Sequence, residues 1–185
     1  MKQFVFIAGA ICTASVSVFA DPTIGQIYRL NFSDVDGNAL STADARFNVV
    51  VISTKTNSDK ARLVGDRIPD FCLANPDYRM ITVVEFEKKH SRPIQAVIRA
   101  AVRHRLDSEA QRLQKRYEGH KISRDARHDV FAVADFDEAI PTQLDLKPDP
   151  ALFHVFVFGK SGELLRQWTD VPSEEELAAA LATSH

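Results

Sequence analysis

Phe47-Asn48-Val49-Val50-Val51-Ile52 runs directly into Ser53-Thr54-Lys55-Thr56-Asn57-Ser58-Asp59-Lys60, and this junction decides the fold. A nearly continuous β-branched run marks a strand buried on both faces, which requires a sheet with helices packed against it. The polar segment that follows carries the residue types that cap helices. Asn57 or Ser58 can accept from the first free amides of a helix whose apolar positions are Ala61, Val64, Ile68, Phe71 and Cys72. Gly65 and Pro69 lie four apart inside that pattern and predict a kink. Asn75-Pro76-Asp77 ends it, and Tyr78 to Phe86 supplies a second strand around Ile81-Thr82-Val83-Val84.

Downstream, Ser91 is placed to cap a long helix with Pro93 in its first turn, running to Glu118-Gly119. Ile94, Val97, Ile98, Ala101, Val102, Leu106, Ala110, Leu113 and Tyr117 recur at steps of three and four, so this stripe is expected to face a core. Asp129 to Ala134 reads as a third buried strand and Leu152 to Phe158 as a fourth. Gly159-Lys160-Ser161-Gly162 then turns the chain into a last strand, Glu163 to Trp168. Ser173 and Glu176 have capping-box spacing and open a final helix ending near Leu181.

Upstream, the alternating Tyr28-Arg29-Leu30-Asn31-Phe32 meets Asp34-Val35-Asp36-Gly37-Asn38 and then Ala39-Leu40. Asp-Gly between such runs predicts a hairpin with a type I′ turn. The order is a hairpin, then β-α-β-α-β-β-β-α. Two strand–helix–strand crossovers make parallel neighbours and the late hairpin adds antiparallel ones. The expected class is α/β: a mixed, twisted central sheet, helices on both faces and an N-terminal β-hairpin.

Residues 1–20 stand apart from this pattern. Lys2 is a short positive region, Phe4 to Val16 is an uncharged apolar stretch, and Val18-Phe19-Ala20 has small residues where a signal peptidase cuts. About 13 apolar residues are too few for a helix across a hydrocarbon core of ~30 Å, which needs about 20. The expectation is a signal peptide over 1–20, cleaved after Ala20, and a single domain over 21–185 in the periplasm or outside the cell. The formal net charge of −2 suggests neither nucleic acid nor, once the leader is removed, a membrane as partner. Of the two cysteines, Cys12 leaves with the leader, so Cys72 is alone and closes no internal disulfide.

Leu30-x-Phe32-x-Asp34-x-Asp36-Gly37-x-x-Leu40-Ser41 followed by Phe47–Ile52 resembles the opening of redoxin and alkyl-hydroperoxide-reductase-like members of the thioredoxin superfamily. Val130-Phe131-Ala132-Val133-Ala134-Asp135 and Phe153 to Leu164 are similar to that family's closing pattern of strand, Asp, helix and Gly-turn hairpin. Lys55-Thr56-Asn57-Ser58-Asp59-Lys60 resembles the polar loop of the YtfJ-like periplasmic branch. The resemblance implies a thioredoxin-like fold. It also implies a Cys-x-x-Cys pair, or one peroxidatic cysteine, where the first core strand yields to its helix, and a cis-proline before the fourth strand, which would be Pro150 or Pro148. The helix dipole and free amides at such a junction stabilise a thiolate. Here the junction holds no sulfur, and counting back from Pro69 lands on Ala61 and Val64.

Three chemistries remain. Cys72 could serve a thiol-dependent redox protein of peroxidase or reductase type. Placed about 14 residues past the cap, ~20 Å along the helix from its N-terminus, and on its apolar flank, it reads instead as an inert core thiol. Ser58 could act as a nucleophile in a hydrolase or transferase, but its only base would be a distant His90 or His154. Thr54, Lys55, Thr56, Asn57, Ser58, Asp59 and Lys60 could form a ligand loop, with free amides and two lysines attracting a small anion. His90, His104, His120, His128, His154 and His185 show no metal-ligand spacing, and neither metal nor cofactor is expected. The expected function is a non-redox binding or accessory role toward a periplasmic protein or small anionic ligand, leaning away from catalysis.

Overall fold

The computed structural model describes residues 21–86, 89–147 and 152–182; the expected signal peptide over 1–20 and the cis-proline candidates Pro148 and Pro150 lie outside them. Strands β1 (Asn31–Ser33) and β2 (Ala39–Ser41) form the expected antiparallel hairpin. Its turn is not type I′. Only Gly37 has a positive φ, 89°, and its N–H donates to Asp34 O at 3.1 Å. Asp34 Oδ1 accepts from the amides of Asp36 and Asn38, so the aspartate side chain, rather than paired left-handed residues, reverses the chain.

β3 (Phe47–Thr54) is buried at all eight positions and sits at the centre of a five-stranded sheet. β4 (Tyr78–Glu85) lies parallel beside it, Phe47 opposite Tyr78 and Thr54 opposite Glu85, and β5 (Phe131–Asp135) is parallel to β4. On the other side β6 (Phe153–Phe158) and β7 (Leu164–Trp168) run antiparallel, giving the order β5-β4-β3-β6-β7. At the β6–β7 turn Gly162 has φ 86°, and a Cβ there would come within 2.7 Å of Tyr28 O. No other residue type fits without moving the N-terminal segment.

Each face has its own core. On one, Ala61 and Val64 of α1 (Ser58–Asp66) and Leu177 and Leu181 of α4 (Glu174–Ala182) cover Val49, Val51, Val155 and Val157. On the other, Leu30, Phe32 and Leu40 of the hairpin region join Ile140 and Leu144 around α3 (Ala139–Gln143) against Val50, Ile52, Ile81, Val83, Phe156 and Phe158. The capping box of α4 is present, Ser173 N–H to Glu176 Oε2 at 2.7 Å and Glu176 N–H to Ser173 Oγ at 3.2 Å.

Two helices differ from the sequence pattern. α1 stops at Asp66 instead of kinking, because Pro69 supplies no N–H and disfavours helical geometry at Ile68. Cys72 therefore lies on a separate 3-10 turn, Asp70–Cys72, and Phe71 is exposed. α2 (Arg92–Gly119) has the predicted bounds, yet Ile94 is 50% and Val97 70% exposed. A 28-residue helix is ~42 Å long. The five-residue β5 beneath it spans only ~17 Å. The stripe reaches a core only from Val102 onward, where Leu106 packs on Ala132 and Val35.

α3 is the element that apolar periodicity did not reveal. Its start depends on Asp135, whose buried carboxylate accepts from the amides of Ile140 (2.8 Å), Ala139 (3.1 Å) and Asp137 (3.3 Å), while Glu138 is held at φ 52°. Asp135→Ala leaves those amides orphaned and should cost about 2 kcal/mol, the upper end for a lost cap. Urea denaturation of Asp135→Ala beside Asp135→Asn, which keeps an acceptor, checks this; equal stability of the alanine variant and wild type would refute it.

Candidate functional site

The β3–α1 junction is where the sheet's central strand ends, and its polar side chains are bonded mainly to one another. Thr54 and Asn57 form a capping box around a 3-10 turn, Lys55–Asn57, with Thr54 N–H donating to Asn57 Oδ1 at 2.8 Å. The hydroxyls of Thr54 and Thr56 are 2.8 Å apart. Asn57 Nδ2 reaches across to Leu152 O at 2.8 Å, tying the junction to the chain entering β6. The expected cap of α1 is thus relocated: Asn57 stands at its N-cap position but its side chain serves the preceding turn.

The charged residues of the loop are divided. Lys60 pairs with Asp170 at 2.9 Å and lies 5.4 Å from the Phe153 ring centroid. Asp59 pairs with Arg62 at 2.8 Å. The two-lysine anion cradle is therefore not assembled: Lys60 is turned to an acid, and Lys55 alone among them makes no ion pair with a described residue. Nor does a hydrogen bond join Ser58 to a histidine among the described residues. The His90 ring packs by Phe86 and Phe136, with centroids 6.1 and 6.0 Å away, and His154 stacks on Phe156 at 5.5 Å. A serine without a base is a poor nucleophile.

Cys72 is buried, 8% exposed, among the residues that line one face of the sheet. Burial pushes its thiol up to about 12; the positive charge of Arg116 pulls the other way and loses. The sequence placed this thiol in the core correctly but on the wrong element. No cluster of metal-ligating side chains occurs among the described residues.

The feature that sequence reasoning missed lies over β4, between α1 and α2. There the face of β4 formed by Met80, Thr82 and Val84 is only half covered, while its other face is buried. A cavity of about 900 Å³ opens there, with Lys55 and Ser58 of the junction among its lining residues and Cys72 in its wall. The sequence did carry one signal of it. A stripe spread over the whole of α2 is longer than any strand it could pack upon.

No protein-family model matches the chain, and no curated protein sequence matches it. Solved structures match it in shape. The exposed lipoprotein thioredoxin of Streptococcus pneumoniae strain TIGR4 superposes with a TM-score of 0.52 at 12% identity, covering 84% of this chain and 98% of that one. A DsbF homologue from Corynebacterium diphtheriae gives a TM-score of 0.52 at 10% identity, covering 95% and 99%. Identities this low speak for architecture alone. Sheet order, crossovers and these superpositions together establish a thioredoxin-like fold whose β3–α1 junction is built of threonine, asparagine, serine and lysine in place of cysteine.

Proposed function

We propose that this is an exported protein that uses the thioredoxin-like fold to bind a partner or small ligand and performs no thiol–disulfide exchange. The observation that supports this most is chemical: the junction holds no sulfur, and the one thiol outside the leader is buried with its pKa raised to about 12. Exchange requires a thiolate that a second thiol or disulfide can approach. Export rests on the pattern of residues 1–20, and N-terminal sequencing of secreted protein should begin at Asp21. The finer likeness to the YtfJ-like branch rests on Lys55–Lys60 alone.

One observation favours the alternative of a thiol-dependent redox protein: Cys72 lines the cavity, and Arg116 lies close enough to favour its thiolate. Turnover separates the two. Insulin reduction with dithiothreitol, and peroxide consumption, should proceed no faster with the protein than without it. Activity in either assay that vanishes in Cys72→Ser establishes the alternative.

A further inference from the structure

We propose that the cavity over β4 is a binding site for a single-chain amphiphile, an alkyl chain bearing a carboxylate head; this deepens the binding reading above and rests on it. At about 900 Å³ it has the size of a small-molecule site. Its shape follows from the elements around it. The lining runs along α2 from Ile98 to Tyr117. At 1.5 Å rise per residue this makes it ~28 Å long, suited to an extended chain rather than a compact ring system.

The walls select hydrocarbon. Met80 and Val84 form the floor, and Ile98, Val102, Leu106 and Leu113 form the side. Thr82 lies between Met80 and Val84 on the β4 floor, and Tyr78 stands on the same face at its end. From Ile81 to Glu85 β4 is flanked by both β3 and β5, so its backbone amides and carbonyls there are already paired and offer nothing to a peptide. A peptide laid here would bury backbone groups without partners, at a cost of about 1–3 kcal/mol for each. A hydrocarbon chain has no such groups.

The charged lining selects an anion. Lys55, Arg62, Arg105 and Arg112 are among the cavity's lining residues, together with the acids Asp66 and Glu109. Asp66 is held by Arg112 through contacts of 3.0 and 2.8 Å. Glu109 lies 3.3 Å from Arg62 Nε and 3.8 Å from Arg112 Nε. Arg62 is also held by Asp59 at 2.8 Å. Arg105 and Lys55 make no ion pair with a described residue. The lining thus presents two uncommitted cations, Lys55 and Arg105, with which a carboxylate can pair.

The test titrates purified protein with dodecanoate below its micellar concentration, beside dodecyltrimethylammonium and butanoate, by calorimetry. Dodecanoate should saturate at one per chain. The cationic amphiphile and the short acid should each bind at least about tenfold more weakly. Ala101→Trp, at an exposed position on the cavity wall, should lower dodecanoate affinity by about tenfold or more, and Lys55→Glu with Arg105→Glu should do likewise while improving the cationic amphiphile. No saturable heat, equal affinity for the two head groups, or wild-type affinity in Ala101→Trp each overturns the proposal. None of these results bears on thiol exchange. Insulin reduction through Cys72 would overturn the non-redox reading whatever dodecanoate does.

Discussion

Arg79→Ala should lower the stability of the folded protein by about 3–5 kcal/mol, the range for removing one partner from a buried charged network. The side chain of Arg79 is 3% exposed. Its Nε and Nη2 donate to Asn48 Oδ1 at 2.9 and 2.6 Å, Nη2 also reaches Ser41 O at 2.6 Å, and Nη1 pairs with Asp44 at 2.9 Å. The Phe131 ring centroid lies 5.8 Å from the guanidinium carbon. One guanidinium therefore joins β4, β3, the end of the hairpin and the loop that follows it. Alanine leaves the Asn48 oxygen, at a residue with no exposed surface, and the Ser41 carbonyl without their donor. Arg79→Lys should recover only part of the loss, because an ammonium cannot reproduce the planar fork. Asp44→Asn should cost less than about 1 kcal/mol, since Asp44 is 31% exposed and water replaces the lost partner. Urea denaturation of the three variants reads the order directly. A loss below about 1 kcal/mol for Arg79→Ala would show that the network is dispensable.

That arginine also marks what the sequence could not convey. The strands were legible because periodicity is local: the Phe47–Ile52 run demands burial on both faces, and the β4 and β6 runs flanking it say the same. The capping box at Ser173 and Glu176 was legible for the same reason, since both partners lie within four residues. Arg79 and Asn48 are 31 positions apart, and nothing local distinguishes a buried arginine from a solvated one. The end of α1 fails differently. Gly65 and Pro69 mark a break, but periodicity alone does not say whether the helix resumes beyond it; α1 stops at Asp66 and the chain goes on as a 3-10 turn. The junction loop shows a third limit. Its residue types announced capping, and they do cap, but Asn57 bonds Thr54 and the distant Leu152 rather than α1. The cavity was hidden because the α2 stripe specifies an apolar face and not what covers it. Only the mismatch between helix and strand lengths exposes the gap over β4.

The thiol of Cys72 should react with a disulfide reagent at pH 8 about a thousandfold more slowly in the folded protein than in the unfolded chain. The pKa rises from 9.0 to about 12, chiefly through burial, with Arg116 opposing it. Well below both values, three units of pKa reduce the thiolate fraction by about 10³, and the thiolate is the attacking species. The rate should climb roughly tenfold per pH unit between 8 and 11 without levelling, whereas an exposed cysteine levels near 9. The sign of the linked stability follows from the same shift. A folded pKa above the unfolded one favours the neutral thiol, so its stabilisation is complete below pH 9 and is lost as pH rises from 9 through about 12. Tyr117 acts in the same direction, pushed from 10.0 to about 12 by burial and by its bond to Asp129, over the window above pH 10. Cys72→Ala should therefore lose less stability than wild type between pH 9 and 12, by at most about 4 kcal/mol. Stopped-flow labelling at a series of pH values, with circular dichroism on the same samples, supplies both measurements. Complete labelling within seconds at pH 8 while the dichroism stays native would place a reactive thiolate beside Arg116 and return this protein to thiol chemistry.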